Sequence, residues 1–201
     1  MRDPDRGPAT GRSTAGRDDV PARQRILDAA ILRFSRAPYA EIGLREIAAD
    51  AQVDVAYVHR AFGSKAALFR HALLELVRFD RLFARPAGKA ALIERLCEQS
   101  LPRKPRHRGD ARPIDMILQS CASAEPREIL REVLSARLVD PVTKCLGHGD
   151  PLPATLAASL LFGVVLSRTV LEIEPIAGAD DDTLRAAVQG IVQAILGPER
   201  G

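Results

Sequence analysis

The sequence predicts an all-α protein, and three observations carry that expectation. Apolar residues recur at helical spacing along most of the chain, and no stretch alternates with period two for long enough to make a strand. The composition is 46% hydrophobic but only 4% aromatic, with no Trp, so Leu and Ala supply the core. Proline stands repeatedly where a first helical turn accepts it, at Pro113, Pro126 and Pro153. A chain of 201 residues buries a full core as one large or two small domains.

Residues 1–20 are rich in Gly, Pro, Arg, Ser, Thr and Asp and are expected to form a flexible basic arm. From Pro21 a helix begins, with Ile26, Leu27, Ala30, Ile31 and Phe34 as its apolar stripe. It ends before Pro38, whose ring disfavours helix at its predecessor. Leu44, Ile47, Ala48 and Ala51 fall at i, i+3, i+4 and i+7, which predicts a short helix over 44–51. Gln52 and Val53 break the period, and the Asp54 carboxylate is placed to cap the next helix, over 55–61. Ser64 suits the N-cap of a long helix through about Phe83, with Leu68, Phe69, Ala72, Leu73, Leu76 and Phe79 inward. The run Arg85-Pro86-Ala87-Gly88 then punctuates the chain. Further helices are expected near 88–101, 113–123, 126–146, 153–173 and 181–196. Pro141 should kink the third of these. Asp180, Asp181 and Asp182 put negative charge at the start of the last, where the helix dipole favours it.

Residues 44–69 carry the functional signal. In the helix over 55–61, Val55, Val58 and Phe62 turn inward, with Val55 at the rim, while Ala56, Tyr57, His59 and Arg60 face outward. A short helix that buries one side and offers ring, imidazole and guanidinium groups on the other suits a DNA major groove. Arg60 has the bidentate geometry that guanine accepts, and His59 serves a base or a phosphate; a solvated helix face is the plain alternative. Tyr57 contacts a thymine methyl or phosphate, or else covers the core edge. Lys65 lies where free helix N–H groups also attract phosphate, and Arg45 is a second phosphate ligand. Val55 and Ala56 allow close approach to the groove, or simply fill the helix.

The run Arg25-Ile26-Leu27-Asp28-Ala29-Ala30, then Phe34, Tyr39, Leu44-Arg45-Glu46-Ile47-Ala48, Val53, Phe62 and Ser64-Lys65-Ala66-Ala67-Leu68, resembles the N-terminal domain of TetR-family transcriptional regulators over about residues 22–75. The resemblance implies a helix-turn-helix DNA-binding domain over 21–81 and a helical effector-binding and dimerisation domain over 82–197. It also implies a homodimeric repressor, released from a palindromic operator when a small-molecule effector moves the linking helix. A regulator without ligand, or an activator, fits the same residues. Three positions depart from the family pattern. Gln52 stands where glycine is usual in the turn, Gly43 where Ser or Thr caps the second helix, and His59 with Ala61 where Tyr and His are common.

Charge and cysteine usage agree with a DNA-binding interior protein. Residues 1–85 hold 15 Lys/Arg against 11 Asp/Glu, whereas residues 86–201 hold 14 against 15. The positive excess therefore lies on the helix-turn-helix half, as phosphate binding requires. Arg12, Arg17, Arg23 and Arg25 would let an arm reach a minor groove, and the loop Arg103 to Arg108 would add to the steering field. Disorder and solvation are the plain alternatives. Three cysteines, Cys97, Cys121 and Cys145, form no CxxC pair, which argues for a reducing compartment and structural thiols. No secretory core opens the chain, and the apolar run from Leu156 to Leu166 is too short for a bilayer. A soluble cytoplasmic protein without membrane contact is expected.

An enzyme is not expected, and neither a cofactor nor a metal. The four histidines have no ligand spacing, and no GxSxG or phosphate-binding glycine loop occurs. The rival reading is an all-α cofactor-binding enzyme that keeps the N-terminal helices. Met116, Leu118 and Cys121 would line an effector pocket or pack as core; the effector-binding residues stay unassigned. For the dimer, Leu160, Gly163, Val164 and Ser167 would join Leu184, Val188, Ile191 and Ile195 in a four-helix, two-fold interface. Burial within one subunit explains the same stripe.

Overall fold

The computed structural model describes residues 21–78, 83, 88–101, 111–147 and 149–197. The described residues hold helices and no strand. Helix α1 spans Ala22–Arg36, α2 Leu44–Asp50, α3 Val55–Phe62 and α4 Lys65–Val77, with a 3-10 turn at Tyr39–Glu41 between the first two. Beyond them lie α5 (Lys89–Ser100), α6 (Pro113–Ser120), α7 (Ala124–Leu134), α8 (Asp140–Cys145), α9 (Leu152–Thr169) and α10 (Asp181–Leu196).

The N-terminal helices close over three aromatic rings. Phe34 of α1 stacks on Tyr39 at 5.7 Å, and the edges of both meet Phe69 of α4, at 5.1 and 5.3 Å. Ile26, Ile47, Val58, Leu68 and Leu73 complete this core. Helix α4 packs against α1, α6 and α7, and α1 also packs on α6. The Tyr39 hydroxyl donates to Glu125 Oε2 of α7 at 2.6 Å, and Arg70 pairs with Glu132 two turns further along α7. The N-terminal and C-terminal helices thus share one packed boundary.

Side-chain caps mark the starts of three helices. Asp54 accepts from the Ala56 N–H at 2.6 Å, Ser64 from Ala67 N–H at 3.1 Å and Asp180 from Thr183 N–H at 3.0 Å. Helix α4 stops at Val77 with Arg78 left-handed (φ +52°), short of the expected Phe83. No glycine or proline marks that stop in sequence. Phe79 and the expected boundary at 81 lie outside the described residues. Between α7 and α8 the backbone widens into a π-helical stretch, Ser135–Val139. Pro141 follows at once. Its ring lacks an N–H and excludes the carbonyl four residues back, at Arg137, so the expected kink takes the form of a register change.

Helix α9 is longer than its apolar run. Its 18 residues have a mean hydropathy of 1.4, long and apolar enough to cross a membrane by length and composition, and only 17% of that window is buried. Arg168 anchors its far end, donating to Asp181 at 2.6 Å and to the Ala179 carbonyl at 3.1 Å, which folds α10 back beside it.

Removing the ring at the centre should cost most. Phe69→Ala is expected to lower unfolding free energy by about 3–5 kcal/mol, read from urea denaturation followed by helical circular dichroism.

Candidate nucleic-acid interface

The turn between α2 and α3 is built as a helix stop. Gln52 adopts φ +55°, its N–H reaches the Ala49 carbonyl at 3.1 Å, and the Val53 N–H reaches Ala48 at 3.0 Å. These are the paired hydrogen bonds of a Schellman motif, with a left-handed residue at its hinge. Gln there carries a Cβ penalty that glycine would not. The missing side-chain cap at Gly43 is partly replaced: Glu46 Oε2 accepts from the Gly43 N–H at 2.9 Å, the half of a capping box that needs no side chain at the cap. Arg33 locks α1 to α2 by gripping Asp50 through Nε and Nη2, the latter at 3.0 Å, and this contact holds the Asp50 carboxyl below the usual range.

Helix α3 then sits with one side fixed. Val58 is 1% exposed and Phe62 buried, while Val55 is half-buried against the core rim. Ala56, Tyr57, His59 and Arg60 are exposed together on the opposite side, and Arg45 is exposed on α2. The Arg60 guanidinium lies 5.7 Å from the Tyr57 ring, one turn back, and His59 Nδ1 lies 3.2 Å from the Gly63 carbonyl. Both side chains are thus steered by these neighbours, and neither makes an ion pair with an acid among the described residues.

Lys65 behaves differently from the rest of the group. Its ammonium donates to the Tyr39 carbonyl and lies 4.1 Å from the Tyr39 ring. Burial lowers its pKa, against the opposing pull of Glu125 and Glu46. A phosphate would have to draw it out of that seat. Arg23 and Arg25 correct the arm expectation. Both belong to α1, where Arg23 covers the Phe62 ring at 4.5 Å and Arg25 Nε donates to the Ala51 carbonyl at 3.1 Å. They brace α3 and the end of α2 rather than reach out, because the helix begins before either of them. Arg12, Arg17 and the Arg103–Arg108 loop lie outside the described residues.

The expected dimer residues fall into two sets. Leu160, Val164, Leu184 and Ile195 are half-buried against their own core, with Gly163 and Ser167 beside them. Val188 is 3% exposed, inside the protomer, and is withdrawn from the interface set, whereas Ile191 is 50% exposed. The stripe read on α10 mixed its inner face with its flank. Sequence reading missed the outward apolar residues Leu152, Leu156, Phe162, Val170, Leu171 and Ile173. Leu152, Leu156 and Phe162 lie on α9, where helical spacing was the available signal, while Val170, Leu171 and Ile173 follow its end at Thr169, short of the expected 173. Of the suggested pocket residues, Met116 is fully buried, Leu118 half-buried and Cys121 exposed. No group of three or more metal-ligating side chains occurs among the described residues.

Replacing Gln52 tests the turn. Gln52→Gly should raise stability by about 0.5–1 kcal/mol, the relief of the left-handed penalty less the added unfolded-state entropy, as measured by thermal melting.

Comparison with known proteins agrees with this geometry. The model of bacterial regulatory proteins of the tetR family matches residues 26–72, and that of the tetracyclin repressor-like C-terminal domain matches residues 91–196. A comparison with curated protein sequences finds no significant match. Among solved structures, a TetR-family regulator from Streptomyces coelicolor A3 is 26% identical, covering 94% of this chain and 99% of its own, with a TM-score of 0.57. A transcriptional regulator from Saccharomonospora viridis, in complex with choline, is 22% identical over 85% of this chain and 95% of its own, at 0.59. A fatty acid degradation regulator from Bacillus halodurans is 19% identical over 91% and 98%, at 0.60. With the C-terminal match alone spanning more than half of its length, this chain belongs to the TetR family of transcriptional regulators.

Proposed function

We propose that this protein is a homodimeric cytoplasmic repressor that holds a palindromic operator and leaves it when a small molecule binds its C-terminal helices. One observation carries the DNA reading: α3 locks Val58 and Phe62 into the core and turns Ala56, Tyr57, His59 and Arg60 outward together. On this reading Arg60 reads a base edge, His59 and Arg45 meet phosphates, Tyr57 meets a thymine methyl or phosphate, and Ala56 with Val55 lets the backbone approach. Lys65 joins them once DNA draws it from Tyr39. One eight-residue helix supplies too little contact, so two copies must enter successive major grooves about 34–36 Å apart.

The apolar surface of α9 and α10 supplies the second copy. Leu152, Leu156, Phe162 and Ile191 are exposed, and Gly163 and Gly190 each have open space where a Cβ would stand. Exposed apolar side chains of this kind mark an association surface, and glycines let a partner helix come close. An isologous four-helix contact also accounts for the hydropathy of α9 without a bilayer. The choline complex of the Saccharomonospora viridis regulator supports a small-molecule effector for this fold.

Selection from a random DNA pool tests the whole reading. Enrichment of a palindrome with half-sites one helical turn apart is expected; a pool that stays random overturns it. Arg60→Ala should weaken binding to the selected sequence by about 1–3 kcal/mol in a gel-shift titration, and unchanged affinity would remove Arg60 from the readers. Leu156→Glu should convert the protein to monomers of unchanged helicity, as followed by light scattering and circular dichroism, and its operator affinity should collapse with them.

A further inference from the structure

Arg185 is the one strongly basic side chain that the described core encloses. It is 7% exposed, and it shares the inner face of α10 with Val188, Val192 and Leu196. Across from it stands α5, whose inner residues are Leu92, Ile93, Leu96 and the fully buried Cys97. Arg185 lies near enough for its charge to draw the Cys97 thiol pKa down, against burial, which raises it more. Its Nε and Nη2 atoms are both covered and have no hydrogen-bond partner.

Among the described residues no side chain hydrogen-bonds that edge, and Asp182, three residues back on α10, is exposed. Asp181, one turn back on α10, is held by Arg168, and Asp180 caps the helix at Thr183. Glu94 and Glu98 of α5 are exposed, away from its buried face. An arginine cannot shed its proton to escape burial, so an enclosed guanidinium without a counter-charge is costly. Nε and Nη2 form one edge of the guanidinium, spaced for the two oxygens of a single carboxylate. Elsewhere in this protein the same edge is filled in that way: Arg33 uses it on Asp50, and Arg112 uses it on Asp115.

We propose that Arg185 anchors the carboxylate of an apolar organic acid bound between α5 and α10. The proposal deepens the reading of a ligand-released regulator and rests on it. The charge of the acid meets the vacant edge of Arg185, and its hydrocarbon meets Leu92, Leu96, Val188 and Val192. A neutral molecule of the same shape leaves the guanidinium as unpaired as before.

The test is thermal melting of the full chain with octanoate, benzoate and phenylacetate, each against its neutral amide. At least one acid should raise the melting temperature in a concentration-dependent way, its amide should not, and Arg185→Met should abolish the shift. Without any acid, R185M should melt at or above the wild-type temperature, because it removes an uncompensated charge. The proposal falls if no acid shifts the wild type, if acid and amide act alike, if the shift survives in R185M, or if R185M alone melts well below the wild type. Gel shifts with the stabilising acid separate the two readings. Binding without operator release would overturn ligand-driven release yet leave the Arg185 site standing.

Discussion

The contact of Phe34, Tyr39 and Phe69 is the constraint on which the rest of the structure depends. It joins α1, the 3-10 turn and α4 through ring faces and edges that interdigitate, so none of the three slides without opening a void. Tyr39 also carries two polar duties from this buried position. Its hydroxyl reaches Glu125 across the boundary to the C-terminal helices, and its carbonyl and ring hold Lys65 at the entrance to α4. Burial and the Glu125 contact both favour the protonated phenol, so the hydroxyl stays a donor through the ordinary pH range.

Helix α3 inherits its position from this cluster. Eight residues are too few to hold a helix alone in water. Its stability comes from Val58 and Phe62 in the core, the Asp54 cap at one end and Gly63 at the other, with φ +80°. Arg23 on the Phe62 ring and Arg25 on the Ala51 carbonyl close the remaining sides. The outward side chains are consequently presented by a rigid support, which is what base recognition needs of so short an element.

Much of this was legible in the sequence because its signals are local. Asp54, Ser64 and Asp180 announce caps within two or three residues, and the stripe from Ile26 to Phe34 sits on a single helix. Features created by the meeting of distant segments were not legible. Nothing near Lys65 in sequence shows that Tyr39 will capture it, and nothing near Arg185 shows that both acids of the facing helix, Glu94 and Glu98, will be exposed. The α10 stripe failed for a related reason. Spacing identifies an apolar face but cannot say whether the neighbour is the same subunit or another, and Val188 proved to be buried within its own protomer. The left-handed end of α4 at Arg78 had no glycine or proline to mark it.

The boundary between the two sets of helices suggests how a distant event would reach α3. Glu125 and Glu132 stand two turns apart on one face of α7, and each engages an N-terminal element, Tyr39 and Arg70 respectively. The two contacts are unequal. Arg70 and Glu132 are both about half exposed, and an exposed ion pair contributes little. Tyr39 is buried, so withdrawal of Glu125 strands a hydroxyl that water cannot easily reach. A shift of α7 that stretched both would therefore be resisted chiefly at Tyr39. Because Tyr39 is wedged between Phe34 and Phe69, the strain would pass to α1 and α4 as one body, carrying α3 with them. On the proposed reading that is the useful outcome. Two grooves of fixed spacing tolerate little rotation of the helices that enter them, so a small rigid tilt of each subunit suffices for release.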